Sequence, residues 1–291
     1  MFKRIIFILP ILLLFGCVKN NPDPSWLEVT EWTLLSNTSL TGAEGELTHN
    51  FSDAWVYIND EVIGVFEVPF KIPILKSGSC TIKLYPTIRN NGIAATKKIY
   101  PFMEVFQVTT ELIQNHTTIL NPVTKYNSIS QFSIEDFEDP LNLNIIADQN
   151  TSAIKSTPTS NIDLQPFNGN FYGSIQLNSV DSTWIASTQN QLAIAKGREA
   201  YLEIDYYNTN SITTGVIYVK PDNTTQNNPN YGMQAQDANS VQWKKIYIDL
   251  KELIGYSPNG SNFLQSFIAK LDEGKSEGEI RLDNIKVVYF N

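Results

Sequence analysis

Tyr201-Leu202-Glu203-Ile204-Asp205-Tyr206-Tyr207 sets the fold class, because its aliphatic side chains recur at every second position. Successive side chains on a strand point to opposite faces, so Leu202, Ile204 and Tyr206 are assigned to a core. Tyr201, Glu203, Asp205 and Tyr207 are then assigned to a solvated face, the usual arrangement of an antiparallel sheet. Similar β-rich segments follow on either side at Phe171–Leu177, Gly215–Lys220, Trp243–Leu250, Phe263–Leu271 and Glu279–Phe290, with Lys251–Gly255 reading as a single helical turn. Roughly six to nine strands with loops between them suit a two-sheet jelly roll.

The N-terminal half reads as a second β unit. Ala54–Ile58, Val62–Phe66 and Thr81–Tyr85 are rich in β-branched and aromatic residues. Asn59-Asp60, Lys76-Ser77-Gly78 and Asn90-Asn91-Gly92 supply the residues that tolerate turn geometry. The expected class is therefore all-β, with two β-sandwich domains of which the C-terminal one is a jelly roll. The expected boundaries are 26–126 for the first, 127–133 for a linker and 134–291 for the second.

Composition narrows the function classes. The 291 residues hold Lys+Arg 21 against Asp+Glu 30, a net charge of -9. Nucleic-acid binding without sequence preference needs basic side chains to displace counterions, and there is no basic block here, so no nucleic-acid partner is expected. Hydrophobic residues at 42% and charged residues at 18% exclude a disordered chain. The two histidines, His49 and His116, are isolated from each other, and both lie in the N-terminal half, which leaves zinc sites and a Ser/His/Asp triad without support. Cys80 stands beside an alternating stretch and reads as a small core thiol.

Lys3 and Arg4 precede an apolar run from Ile5 to Phe15 that is too short to span a bilayer and suits a secretion signal. It ends in Leu14-Phe15-Gly16-Cys17, which resembles the lipobox of bacterial lipoproteins. The resemblance implies cleavage after residue 16, acylation of Cys17 and a permanent lipid anchor as the sole membrane contact. Residues 17–25 then form a polar, proline-interrupted tether. Val18 in place of Asp after the cysteine favours the outer membrane. No acidic cluster of the kind that marks surface export in Bacteroidota lipoproteins follows Cys17, so the leaflet stays open.

Two further resemblances bear on the body. The turns and strands from Trp55 to Gly78 are similar to small transthyretin-like or PEGA-like sandwiches, which serve as spacer or interaction modules. Asp136-Phe137-Glu138, Tyr201–Tyr207, Trp243–Leu250 and Ile280-Arg281-Leu282-Asp283-Asn284-Ile285, in that order, resemble the galactose-binding-like jelly rolls that include many carbohydrate-binding modules. This implies a structural Ca2+ held by Glu138 and Asp283; on the alternative reading these two are surface charges flanking paired edge strands. No other cofactor is implied.

Glu203-x-Asp205 is similar to the start of the strand motif of laminarinase-type glycoside hydrolases, but Asn208 stands where the acid/base carboxylate would be. An amide cannot deliver a proton, so a retaining mechanism is broken unless another carboxylate such as Asp249 substitutes; no catalytic residue is assigned, and glycoside hydrolysis is the one enzyme class left open. Binding is the better expectation. Sugar C–H faces lie on aromatic rings while amides and carboxylates meet the hydroxyls. The candidate ligand-binding residues are Tyr172, Trp184, Tyr207, Asp222, Asn223 and Tyr231, although each aromatic taken singly also suits a core. Asn168 and Asn170 are further candidates in a nearby turn. The Asn-rich stretch Pro221–Tyr231 reads either as a long binding loop or as a disordered insertion, and Trp243 reads as core. The expected partner is a glycan or, alternatively, another envelope protein.

Overall fold

The computed structural model describes residues 23–159 and 169–291; the expected leader 1–16, the lipidation candidate Cys17, most of the expected tether and Asn168 lie outside the described residues. The first unit contains β1 (Ser25–Val29), β2 (Thr33–Leu34), β3 (Asp53–Ile58), β4 (Glu61–Glu67), β5 (Phe70–Ile74), β6 (Gly78–Arg89), β7 (Lys97–Ile99), β8 (Phe106–Leu112), β9 (Thr117–Leu120) and β10 (Val123–Thr124). Its main sheet runs β4-β3-β6-β7, with β8 also paired to β6; β5-β1-β9 and β10-β2 form two smaller sheets. The β3–β4 hairpin closes through Asn59 and Asp60 at φ 50 and 64. Asn and Asp tolerate this left-handed geometry, whose twist matches that of the flanking strands. Alternation then buries Val56, Ile58, Ile82 and Leu84, together with Cys80, which is a core thiol.

The second unit contains β11 (Gln131–Glu135), β12 (Ile145–Ala147), β13 (Lys155–Pro158), β14 (Phe171–Asn178), β15 (Thr183–Thr188), β16 (Ala200–Asn208), β17 (Ile212–Val219), β18 (Thr225–Met233), β19 (Lys244–Asp249), β20 (Asn262–Lys270) and β21 (Glu277–Tyr289), with α1 (Lys251–Tyr256) between β19 and β20. One sheet runs β13-β14-β21-β16-β19, with β11 also on β21; the other runs β12-β15-β20-β17-β18. Every strand pair among the described residues of this unit is antiparallel. The two sheets face each other across Ile175, Leu202, Ile204, Ile248, Ile280 and Leu282 on one side and Trp184, Val216, Phe263 and Phe267 on the other. The protein is all-β, and this unit is a jelly-roll sandwich.

Two expectations fail in the fold. Pro221–Tyr231 is not a long loop: Lys220 N–H bonds the Thr224 carbonyl, the chain turns at Pro221–Thr224, and the Asn-rich remainder belongs to β18, paired along β17. Asn227 and Asn228 satisfy themselves by bonding Ser266 and the Val216 carbonyl, so low β-propensity is overridden by pairing. Nor is the outer face of β16 solvated. Tyr201 is 0% exposed, and with Tyr247 and Val288 it packs into the core of the first unit beside Tyr100 and Phe102. Alternation divides a strand into two faces; what covers each face depends on the rest of the chain.

Candidate functional site

β16, β19 and β21 present one continuous outer face. At the half covered by the first unit, Glu203 Oε1 accepts hydrogen bonds from the hydroxyls of Tyr100 at 2.5 Å and Tyr126 at 2.9 Å, while Lys245 Nζ stands 3.2 Å from Glu203 Oε2 and 3.4 Å from Asp205 Oδ1. Thr48 donates to Asp205 Oδ2 at 2.6 Å, and Asn284 Nδ2 donates to the same oxygen at 3.0 Å. Burial, then the Glu203 charge, pushes the Tyr100 and Tyr126 phenols well up, so both stay protonated donors. Burial alone would lower Lys245, but Asp205 and Glu203 outweigh it and raise the ammonium. A β16–β21 register shift falls between Glu203 and Asp205. These carboxylates are 0% exposed and neutralised from within, so no substrate reaches them, and hydrolysis at this motif is excluded by access as well as by Asn208, whose amide is bound to the Asn210 and Gln234 carbonyls.

The other half of this face carries a different group. Arg281 lies 5.3 Å from the Tyr172 ring centre and 4.7 Å from that of Tyr207. Trp243 meets the same two rings at 5.9 and 6.2 Å. The guanidinium stacks against both phenol rings, which fixes their orientation. Burial raises the Tyr207 phenol against the lowering effect of Arg281, so its hydroxyl is a neutral donor and acceptor. Tyr172 and Tyr207 retain 9% and 8% exposure, and Trp243 is half-buried.

The other candidates are dispersed. Trp184 is 0% exposed and stacked on Phe267 at 5.7 Å; it is core and presents no face to a ligand. Its place on β15 puts it in phase with Ala186, which is also buried, and parity decides against a platform there. Tyr231 joins the two units, its hydroxyl donating to the Asn91 carbonyl. Asp222 and Asn223 sit at the β17–β18 turn, at the far end of that hairpin from Tyr231; Asp222 accepts from the Thr224 N–H and hydroxyl, and Asn223 takes φ 62. Trp243 and Arg281 were the partners missed. Their signal was available: Ile246, Ile248, Ile280 and Leu282 point inward, so period two sends Trp243 and Arg281 outward.

The implied calcium ligands divide. Asp283 is 1% exposed; its Oδ1 accepts the Asn284 N–H at 2.8 Å and its Oδ2 has no partner. Burial pushes its carboxyl up to about 9, and the nearby charges of Asp205, Glu138 and Asp136 add to that rise. An orphaned carboxylate oxygen among further carboxylates fits a cation. Glu138 Oε1 instead accepts the Asn170 and Phe171 N–H groups at 2.6 and 2.9 Å, and its Oε2 accepts the Asn170 amide at 3.1 Å. Only one lone pair of Oε2 remains for a metal, and no group of three or more His, Cys, Asp or Glu suited to a metal occurs among the described residues.

No family model matches the chain, and no curated protein matches it. Among solved structures, the chain is similar to the CBM22-1 and GH10 modules of a Clostridium thermocellum xylanase in complex with xylohexaose, at 11% identity and TM-score 0.39 over 54% of this chain and 28% of that one. It is similar to a CBM28 module specific for non-crystalline cellulose, at 13% identity and TM-score 0.37 over 52% of this chain and 91% of that one. A xylan-binding CBM22-1 domain from Paenibacillus barcinonensis gives 15% identity and TM-score 0.36 over 55% and 94%.

Proposed function

We propose that the chain is a cell-envelope protein, held at the outer membrane by lipid on Cys17, whose jelly roll binds glycan without cleaving it. The observation that carries this reading is the convergence of Tyr172, Tyr207 and Trp243 around Arg281 on the outer sheet face, where Trp243 is half-buried and the two tyrosines keep a small exposed fraction. Further along β14 and β21, Gln176 and Glu279 border a cavity of about 790 Å³ of mixed polar and apolar lining, with Thr209, Gln236, Asp237 and Lys275 among its polar side chains and Ala235 and Ala238 among its apolar ones. Rings for C–H faces beside amides and carboxylates for hydroxyls make up the chemistry a neutral sugar needs. Asp283, with Glu138 beside it, is the proposed holder of a structural Ca2+ that would neutralise the buried carboxylate.

The test is retention of the full chain on immobilised neutral polysaccharides. Tyr207→Ala and Trp243→Ala should each abolish retention in protein shown by circular dichroism to remain folded at the assay temperature. Undiminished retention in both variants would remove the platform from the argument. An assembly role through protein contacts is the second reading. It is favoured by the exposed apolar side chains Leu141, at 91%, and Ile146, at 50%, beside the edge strand β12.

A further inference from the structure

The chain is acidic overall, yet one cleft between its two units is lined only by neutral and basic residues. This cavity of about 490 Å³ has His49, Asn50 and Arg89 on one wall and Trp243, Lys244 and Lys245 on the other. No Asp or Glu lines it. Lys245 is committed to Glu203 and Asp205 behind it. Arg89 Nη2 is 3.1 Å from Glu67, but its Nε is buried without a hydrogen-bond partner, as is His49 Nδ1. Lys244 is exposed and makes no ion pair among the described residues. The cleft therefore carries the Arg89 guanidinium and the Lys244 ammonium with no carboxylate in its lining to meet them, which favours an anionic occupant. The walls are held in place before any ligand arrives. Asn91 N–H bonds the Tyr247 carbonyl at 2.9 Å, and Asn91 Oδ1 accepts the Asp249 N–H at 2.8 Å, fastening the Asn90–Gly92 turn to β19.

We infer that this cleft binds a carboxylated saccharide, its carboxylate between Arg89 and Lys244 and its ring against the Trp243 indole. Guanidinium and ammonium groups bind carboxylates through charge-assisted hydrogen bonds, while the indole accepts the C–H face of a sugar. The inference rests on the glycan-binding reading for the ligand class and shares Trp243 with it, but Arg89 and Lys244 belong to the cleft alone and Tyr172 and Tyr207 to the platform alone, so variants of these let the two fail separately.

The experiment is calorimetric titration of the full chain with galacturonate and glucuronate oligosaccharides, their neutral methyl esters, and inorganic sulfate. The acids should bind, the esters and sulfate should bind at least about tenfold more weakly, and Arg89→Gln and Lys244→Gln should each weaken the acids by about tenfold or more. Lys244 is exposed, so its variant keeps the test valid if Arg89→Gln fails to fold. Equal binding of acid and ester, sulfate binding as tight as the acids, or no loss in Lys244→Gln would each overturn the inference. Neutral-glycan binding that needs Tyr207 but not Lys244 would keep the platform and sink the cleft. Acid binding that needs Lys244 but not Tyr207 would do the reverse.

Discussion

Lys245 Nζ lies 3.2 Å from Glu203 Oε2, and both side chains are only 1% exposed. The pair belongs to the jelly roll, but it is roofed by Tyr100 and Tyr126 from the first unit, both hydrogen-bonded to Glu203. Charges of this kind are held at a desolvation cost that good geometry offsets, and removing one member leaves the other stranded. The interface is therefore polar at its centre and aromatic around it, with Tyr100 packed against Tyr201 at 5.3 Å and Tyr247 at 4.9 Å.

Lys245→Met strands Glu203 and Asp205 and should destabilise the protein by about 3–5 kcal/mol. The Lys245→Met, Glu203→Gln double variant should recover part of that loss. Urea unfolding followed by tryptophan fluorescence measures both. A single variant within 1 kcal/mol of wild type would show that the cluster contributes little.

Lys286 gives a pH signature. Burial drives its ammonium down to about 8 from an ordinary value near 10.5, a fall that Lys245 adds to and that Glu203, Asp205 and Glu44 partly oppose. A depressed folded value means that the associated stability is present above about 10.5 and is lost as pH falls to about 8. Relative to Lys286→Met, the wild type should gain stability between those limits. Parallel stability curves for the two proteins would refute the shift.

Trp184→Ala removes a fully buried indole stacked on Phe267 and should cost about 3–5 kcal/mol. Circular dichroism through a thermal ramp reads the loss. A stable variant with impaired glycan retention would return Trp184 to the binding candidates.

Asp283 tests the cation. Its folded value near 9 lies above the unfolded one, so without metal the stability it contributes is lost as pH rises from about 4 through 9. Calcium should therefore raise the melting temperature of the wild type at pH 7.5, chelator should reverse the rise, and Asp283→Asn should respond to neither. A calcium response that persists in Asp283→Asn would relocate the ion.

The strands of the jelly roll were legible because alternation survives in β16, β19 and most of β21, whose inward positions are mainly aliphatic, with Tyr206 and Tyr289 as exceptions and a change of parity between Leu282 and Ile285. The Asn-rich part of β18 was not, since its amides join a ladder that only the neighbouring β17 offers. The candidate site was half legible: Tyr172 and Tyr207 were picked out and stand together, whereas Trp184 was picked out and is core.

Local chemistry in the sequence determined the all-β class, the turn positions and the broken Glu203-x-Asp205 motif. Each of these depends on residues close together in the chain or on residue types that are missing. Tertiary structure alone decided that the outer face of β16 is roofed by the first unit, that Trp243 and Arg281 join two tyrosines, and that Arg89 and Lys244 face one cleft. Periodicity says which way a side chain points, but Arg89 and Lys244 are 155 positions apart. Only the packing of one unit on the other brings such residues to a common wall.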